Sequence, residues 1–261
     1  MRHFISKSYS VFISCLCIYA SLQKPVRAIK IALTSQQKEW IVEQHNKIRS
    51  NVTTNASNML KMSWSVELER LATNYSSKCV FEHNENRKSL EFNSVGENLF
   101  VIKSTDGYPL FKNAIQTWEA EKREYRYMYS CISCGHYTQV IWATTYKVGC
   151  GYAVYRTGTT VYNSTSIVCN YGPSGNKAAT LPYIGGPSCS RCPPQDVCEN
   201  KLCANSTRDD TEGMDTPASS SNATATTIAP ASILTTTDSA IHISPTIYWH
   251  FLSVLVLYCK W

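Results

Sequence analysis

Charge is scarce in this 261-residue chain: Asp, Glu, Lys and Arg make up 17% of it, against about a quarter in an ordinary soluble protein. It has no glycine every third residue and no long block of like charge, so collagen-like and wholly disordered readings fall away. No internal repeat is visible, which excludes solenoids and propellers. HExxH, GxSxG and P-loop patterns are missing, so the commonest zinc-protease, serine-hydrolase and nucleotide-binding routes have no anchor. The formal charge of +6 would suit nucleic acid only if the basic residues sat together. They do not. Setting aside Met1–Ala28 and everything after Asp238 removes Arg2, Lys7, Lys24, Arg27 and Lys260, leaving twenty basic residues against nineteen acidic. No nucleic-acid partner is expected.

The two ends differ from the middle. Arg2, His3 and Lys7 precede an apolar run from Tyr9 to Leu22, the pattern of a secretory leader and too short for a membrane span. Cleavage after Ala28 fits best, with Ala20 as the other small-residue position, so residues 1–28 are read as a signal peptide. Residues 204–240 are rich in Ser, Thr, Ala and Asp and nearly devoid of aromatics. Such a stretch buries too little surface to offset its ordering entropy and reads as a stalk. Within residues 241–261, Ile247 to Tyr258 is apolar but well short of the roughly twenty residues a spanning helix needs. The small residues Asp238-Ser239-Ala240, a spacer and an apolar tail fit a GPI-attachment signal, with Asp238 as the attachment residue. A short transmembrane anchor and a sticky secreted tail are the alternatives. Six Asn-x-Ser/Thr sequons, at Asn51, Asn55, Asn74, Asn163, Asn205 and Asn222, agree with passage through the secretory pathway.

Between these ends the hydrophobic periodicity is mixed. Residues 35–50 read as a helix with Trp40, Ile41, His45 and Ile48 on one side. Ser65 caps a second helix with Leu68, Leu71, Ala72 and Tyr75 in a stripe and Asn74 on the opposite side. A third is expected from near Pro109 to about Tyr125, with Phe111, Ala114, Ile115, Trp118 and Tyr125 inward. Strand-like runs follow at Thr138–Trp142, Val148–Tyr155 and Thr159–Asn170. Helices followed by antiparallel strands predict an α+β layered domain, long enough to fold alone.

Of twelve cysteines, Cys15 and Cys17 fall in the leader and Cys259 in the tail, which leaves nine. In an oxidising compartment these are first of all disulfide material. The pairs Cys131/Cys134 and Cys189/Cys192 have zinc-compatible spacing, but secretion and their separate segments favour bridges. Cys189, Cys192, Cys198 and Cys203 crowd into a short stretch with Pro193 and Pro194 and little apolar content. That stretch reads as a stapled module without a core of its own. Nine is odd, so one thiol is left over.

His83, Glu97, Glu121 and His136 are the residues with most chemical potential. Glu121 lies at the edge of the third helix's apolar stripe, while Glu124 points away from it. His136 opens an apolar run (Tyr137, Val140, Ile141, Trp142) read as a strand. Two imidazoles and two carboxylates can bind zinc or another divalent cation, act as an acid–base group, or simply be hydrogen-bonded structural residues. Spacing alone does not choose among these.

GHYTQVIWATT (Gly135–Thr145) and CNYGPSGN (Cys169–Asn176) resemble the two signature motifs of the CAP superfamily. This superfamily comprises cysteine-rich secretory proteins, antigen 5 and pathogenesis-related-1 proteins. FEHN around His83, Gly96-Glu97-Asn98 and Trp118-Glu119-Ala120-Glu121 match its other landmarks. The likeness runs over roughly residues 36–176 and implies a three-layer α-β-α sandwich, here a CAP domain at residues 34–177. It also implies a central cleft made of His83, Glu97, Glu121 and His136, able to take zinc or another divalent ion. No catalytic residue is assigned. Residues 183–203 resemble the hinge of the animal secretory branch. By that likeness Cys131 pairs with Cys134, Cys150 with Cys169, Cys189 with Cys198 and Cys192 with Cys203. The family partner of Cys79 would stand where this chain has Tyr155, so Cys79 is the expected free thiol. Lacking the six-cysteine channel-regulatory module, the chain looks most like the glioma pathogenesis-related subgroup, whose members are membrane-anchored or secreted.

The resemblance implies an extracellular recognition protein tethered to the outer leaflet, meeting a cell-surface protein, lipid or sterol in gamete or immune settings. Its rival is a metal-dependent hydrolase built on the His/Glu cleft. The tether is testable on intact cells. Phosphatidylinositol-specific phospholipase C is expected to release the protein into the medium. Retention on the treated cells would rule out the GPI reading.

Overall fold

Local capping chemistry starts the first helix. Thr34 Oγ1 accepts from the Gln37 amide at 3.2 Å while Gln37 Oε1 accepts from the Thr34 amide at 2.9 Å, a reciprocal capping box. The computed structural model describes residues 27–78, 80–104, 111–129, 131–156 and 163–210. Helix α1 (Ser35–Ser50) buries Ile41, His45, Ile48 and Arg49, whereas Trp40 is half-buried and packs against the core's edge. Helix α2 (Val66–Ser76) is capped by Ser65, whose hydroxyl accepts from the Leu68 amide. Leu68, Ala72 and Tyr75 are buried, Leu71 is half-buried and Asn74 is exposed. Helix α3 (Phe111–Ala120) is shorter than its apolar stripe predicts. At Glu121–Arg123 it tightens into a 3₁₀ turn, and Tyr125 is buried beyond that turn. Pro109 lies outside the described residues.

One mixed sheet forms the middle layer. Strands β1 (Arg27–Ile31), β3 (Gly96–Ser104), β4 (Lys147–Arg156) and β5 (Asn163–Gly172) lie antiparallel in the order β1-β4-β5-β3. The short β2 (Ser63–Trp64) joins β4 in parallel. Alternation along the strands then separates two faces. Val148, Cys150, Tyr152, Phe100, Ile167, Cys169 and Tyr171 pack in the main core with α1 and α3. Leu99 and Val168 point the other way, against Ala72 and Tyr75 of α2. There α2 lies almost on the sheet backbone. A Cβ at Gly149 would come within 2.1 Å of the Glu69 amide nitrogen, and one at Gly151 within 2.4 Å of that of Thr73. The result is an α-β-α sandwich, although helices and strands alternate along the chain rather than falling in two blocks.

Two strand expectations need correction. The second hairpin strand, expected over Thr159–Asn170, is β5 at Asn163–Gly172, and residues 159–162 lie outside the described residues. The run Thr138–Trp142 is no strand. Gly135–Val140 is a short helix, α4. Tyr137, Val140 and Ile141 stand at i, i+3 and i+4, a helical period with polar Thr138 and Gln139 between them. Glu121 fixes the matter by accepting hydrogen bonds from the first amides of this helix, at His136 and Tyr137.

Four disulfides close: Cys131–Cys134, Cys150–Cys169, Cys189–Cys198 and Cys192–Cys203. The second joins directly paired positions of β4 and β5. Cys79 lies outside the described residues. The Tyr155 hydroxyl of β4 donates to the Ser76 carbonyl at the end of α2, a non-covalent tie in the place where the resemblance puts a bridge.

The C-terminal extension departs from the expected coreless module. Its strands β6 (Val197–Glu199) and β7 (Leu202–Ala204) form a hairpin, with β6 exposed and β7 wholly buried. Leu202 belongs to the main hydrophobic core. The Cys203 amide donates to the Met59 carbonyl and the Lys61 amide to the Cys203 carbonyl, at 2.8 and 2.9 Å. Ser57 and Gly186 amides add bonds to Ile184 and Asn55 carbonyls. The stalk also begins later than its composition suggests, since Arg208 pairs with Asp196 and Asp209 and the Asp210 carbonyl accepts from Lys147. Composition overlooks these contacts because they join polar groups. Residues 1–26 and 211–261, including Asn222 and Asp238, lie outside the described residues. Because β1 starts at Arg27, leader cleavage after Ala28 would leave Ile29–Ile31 paired with Val154–Tyr152. No helix among the described residues is long and apolar enough to cross a membrane.

Arg49 is the hub of the core. Its side chain is buried, yet no carboxylate among the described residues bonds it. Instead the guanidinium donates to five carbonyls, those of Leu60, Val140, Trp142, Ala143 and Thr145, at 2.6–3.2 Å. Burial lowers its pKa to about 9, which still leaves it charged at neutral pH. His45, one turn earlier, donates Nδ1–H to the Ile41 carbonyl and accepts at Nε2 from the Tyr171 hydroxyl. Its burial pulls the imidazole down to about 4.

Two outcomes follow for stability. Arg49→Lys cannot serve five carbonyls and is expected to cost at least about 3 kcal/mol in urea unfolding, since each abandoned buried acceptor costs roughly 1–3 kcal/mol. A loss below about 1 kcal/mol would show that the carbonyls find other donors. For His45 the unfolded chain binds the extra proton between pH 6.5 and about 4 while the folded one does not. Stability should therefore fall by about 3 kcal/mol as pH drops through that window. His45→Gln should flatten that slope by up to one proton, and an unchanged slope would assign it to other groups.

Candidate functional site

The site is built from two His–Glu pairs beside the edge strand β3. Glu121 begins the 3₁₀ turn that ends α3, and that turn swings its carboxylate inward beneath α4. Its Oε1 accepts from His136 Nδ1 at 2.7 Å, and its Oε2 accepts from the His136 and Tyr137 amides at 3.0 and 3.1 Å. Both side chains are about 5% exposed. The Trp118 indole stacks on the His136 ring with centroids 6.3 Å apart and planes at 15°, while its Nε1 donates to the Leu99 carbonyl. Asn98 Nδ2 donates to the His136 carbonyl at 3.0 Å.

The second pair repeats the first. His83, in the segment after α2, approaches Glu97 Oε1 through Nδ1 at 3.0 Å. The same oxygen accepts from the Asn84 amide at 2.9 Å, and Asn170 Nδ2 lies 3.4 Å from Glu97 Oε2. Glu97 is fully buried, whereas the His83 side chain is 24% exposed. Arg87 secures this segment by donating to the Val95 and Asn84 carbonyls. Glu97 shares a face of β3 with Leu99, and Asn98 turns to the opposite face, towards α4.

A carboxylate can only accept, so each Nδ1 must carry the proton. In the neutral ring that leaves Nε2 as the lone-pair atom of both imidazoles. His136 Nε2 is buried and has no hydrogen-bond partner among the described residues. No group of three or more His, Cys, Asp or Glu side chains among the described residues is arranged to hold a metal ion. The glutamates face the histidines rather than a shared centre, the position of outer partners in carboxylate–histidine–metal arrangements.

Several supporting residues lie inside the quoted motifs, which do not reveal their roles. Tyr171 receives a hydrogen bond from Asn98 and donates to His45, linking β3, β5 and α1 beneath His136. Asn98 and Asn170 flank Glu97 in sequence and in the sheet, and the Gly96-Glu97-Asn98 and CNYGPSGN motifs contain them. Among the sequons, Asn51, Asn55 and Asn74 are exposed, and Asn163 opens β5. Asn205 is half-buried, with its amide donating to Asp196 and its Oδ1 accepting from the Thr207 and Arg208 amides.

Comparison with known proteins agrees with this architecture. The model of the CAP family, described as the cysteine-rich secretory protein family, matches residues 42–171. GLIPR1-like protein 1 of Bos taurus is 40% identical over 202 residues, covering 74% of this chain and 81% of that protein. Human peptidase inhibitor 16 is 40% identical over 178 residues, which are 66% of this chain and 37% of that longer protein. Glioma pathogenesis-related protein 1 of Mus musculus is 38% identical over 175 residues, 64% of each chain. Among solved structures, BmVAL-1 superposes with a TM-score of 0.55 at 27% identity over 66% of this chain and 95% of its own. A crystal structure of NaASP2 with Zn2+ gives 0.51 at 28% identity over 64% of this chain and 94% of its own. These relatives support a secreted or extracellular protein. With its signature motifs inside the matched span and its helices layered on both faces of the sheet, the chain belongs to the CAP family of cysteine-rich secretory proteins, with GLIPR-like proteins among its relatives.

Proposed function

We propose that the protein is a membrane-tethered binding module whose His136 and His83 together hold a divalent cation of the zinc type, with Glu121 and Glu97 orienting them from behind. The observation that carries this reading is the doubled arrangement. Each imidazole gives Nδ1–H to a buried carboxylate, which sets the tautomer and raises the basicity of Nε2. Imidazole suits zinc, and two protein ligands leave coordination positions open. When bound, such an ion supplies a Lewis-acidic point where a partner's carboxylate or carbonyl can dock. The Zn2+ in the NaASP2 crystal structure supports the choice of metal.

The hydrolase alternative asks a glutamate to shuttle a proton. Glu121 is poorly suited to that, because Oε1 holds His136 and Oε2 holds two backbone amides. Protonating it would loosen the start of α4. A binding role towards a cell-surface protein, or towards a lipid or sterol, asks nothing of the kind. The leader pattern, the six sequons and the small-residue triplet before an apolar tail support placement on the outer leaflet through a GPI anchor.

Calorimetry of the secreted protein with zinc tests the reading. One ion per chain is expected, weakened at least about tenfold by His136→Ala or His83→Ala. Glu121→Gln should weaken it by roughly 10–100-fold through the lost orienting carboxylate, with circular dichroism confirming an intact fold. No zinc binding by the wild type would end the metal assignment. Cleavage of a peptide or ester library that His136→Ala abolishes would replace the binding role with an enzymatic one.

A further inference from the structure

The turn that sends Glu121 inward sends its neighbours outward. Lys122 and Arg123 follow it in the same 3₁₀ turn, and with Arg126 they line a surface cavity of about 490 Å³. Thr53 and Thr54, from the loop after α1, form part of the wall. None of the three cations is ion-paired among the described residues. Lys122 Nζ donates to the Asn51 carbonyl at 3.1 Å, and Arg126 donates to the carbonyls of Arg123 and Tyr125 at 2.9 and 3.0 Å. These acceptors are neutral, so they position the cations without cancelling their charge. Arg123 is exposed. Glu119 is the one carboxylate on the lining, which leaves the cavity with a net excess of two positive charges.

The aromatic part of the lining is rigid. Tyr125 is buried and meets the Tyr137 ring edge-on at 5.5 Å. Tyr127 stacks on Tyr183 at 5.1 Å, and its hydroxyl accepts from the Gly185 amide at 2.6 Å. A ligand meeting this surface orders little that is not already ordered.

We propose that this cavity binds a sulfated or carboxylated oligosaccharide, at a site separate from the histidine pairs. The argument is one of chemistry and size. A single inorganic anion fills a small fraction of about 490 Å³, a volume within the range of small-molecule sites. Two guanidiniums and an ammonium match two or more anionic groups on one ligand, with arginine able to grip each through paired N–H donors. Threonine hydroxyls suit sugar hydroxyls, and tyrosine rings suit the C–H faces of a pyranose. An acyl-chain anion would instead need a deep enclosed tunnel, whereas this cavity lies open to solvent. The sequons at Asn51 and Asn55 bracket the threonine wall, so glycans there would flank the entrance.

The test uses the full secreted chain and a chemically defined sulfated hexasaccharide, measured by calorimetry at low and moderate salt. Saturable binding that weakens with salt is expected, with no binding of the unsulfated hexasaccharide. Arg123→Glu and Arg126→Glu should each reduce affinity at least about tenfold, since a charge-assisted hydrogen bond is worth roughly 1.5–3 kcal/mol. Zinc binding should stay unchanged, which separates failure here from failure of the metal reading. Lys88→Glu/Lys201→Glu, an equal charge change at exposed residues outside the cavity lining, should leave affinity within about twofold. Equal losses in that control would reduce the effect to net charge and overturn the proposal, as would unaltered binding in Arg123→Glu/Arg126→Glu. Binding to phosphatidylserine vesicles through Arg123 and Arg126, without saccharide binding, would overturn it in favour of a lipid surface.

Discussion

The guanidinium of Arg49 reinforces a junction that the Leu60–Ala143 backbone bond and the pairing of β2 with β4 also close. It lies at the end of α1 and takes up carbonyls from the β2 approach at Leu60 and from the whole stretch between α4 and β4. That stretch leaves a short helix and enters a central strand within a few residues, so its carbonyls cannot all find backbone donors. A five-donor, permanently charged group solves the problem where an apolar residue would not. The position of α4, and hence of His136, depends on this. His45 and Tyr171 extend the same polar seam towards Asn98 and the carbonyl of His136. The core is thus apolar at its flanks and hydrogen-bonded through its centre.

On that frame the 3₁₀ turn at Glu121–Arg123 acts as a divider. Had α3 continued as an α-helix, Glu121 would have stayed on the stripe's edge. Tightening the helix sends Glu121 under α4 and leaves Lys122 and Arg123 towards solvent. One local change of geometry therefore serves both the buried cleft and the basic cavity outside it. Trp118, one turn earlier, fills the space between by stacking on His136.

Much of the domain was legible in the sequence, and the failures have physical causes. α1 and α2 announced themselves through capping residues and apolar spacing, and β4 through its alternation. α4 did not, because six residues show too little of a helical period to be told from a strand. β3 went unread for a related reason. It alternates a buried carboxylate and amide, Glu97 and Asn98, where an edge strand would normally show polar residues to solvent. The four cleft residues could be named from their motifs, but their division into two pairs depends on the turn after α3 and on strand register. Arg49 drew no notice in the sequence, since its meaning lies in carbonyls some ninety positions away.

The buried β7 strand has a consequence for where this protein can be divided. The matched family span ends at residue 171, and a boundary near 177 looks natural from composition. Yet Leu202 and Cys203 are interior residues, bonded to the segment around Met59 that also feeds Arg49. A chain ending at 177 would uncover Met59 and leave its carbonyl and the Lys61 amide without their Cys203 partners. The inherited module and the smallest self-sufficient piece of this molecule are therefore different lengths. During synthesis the Met59–Lys61 segment must wait about thirty residues beyond β5 for the Cys203 groups that pair with it.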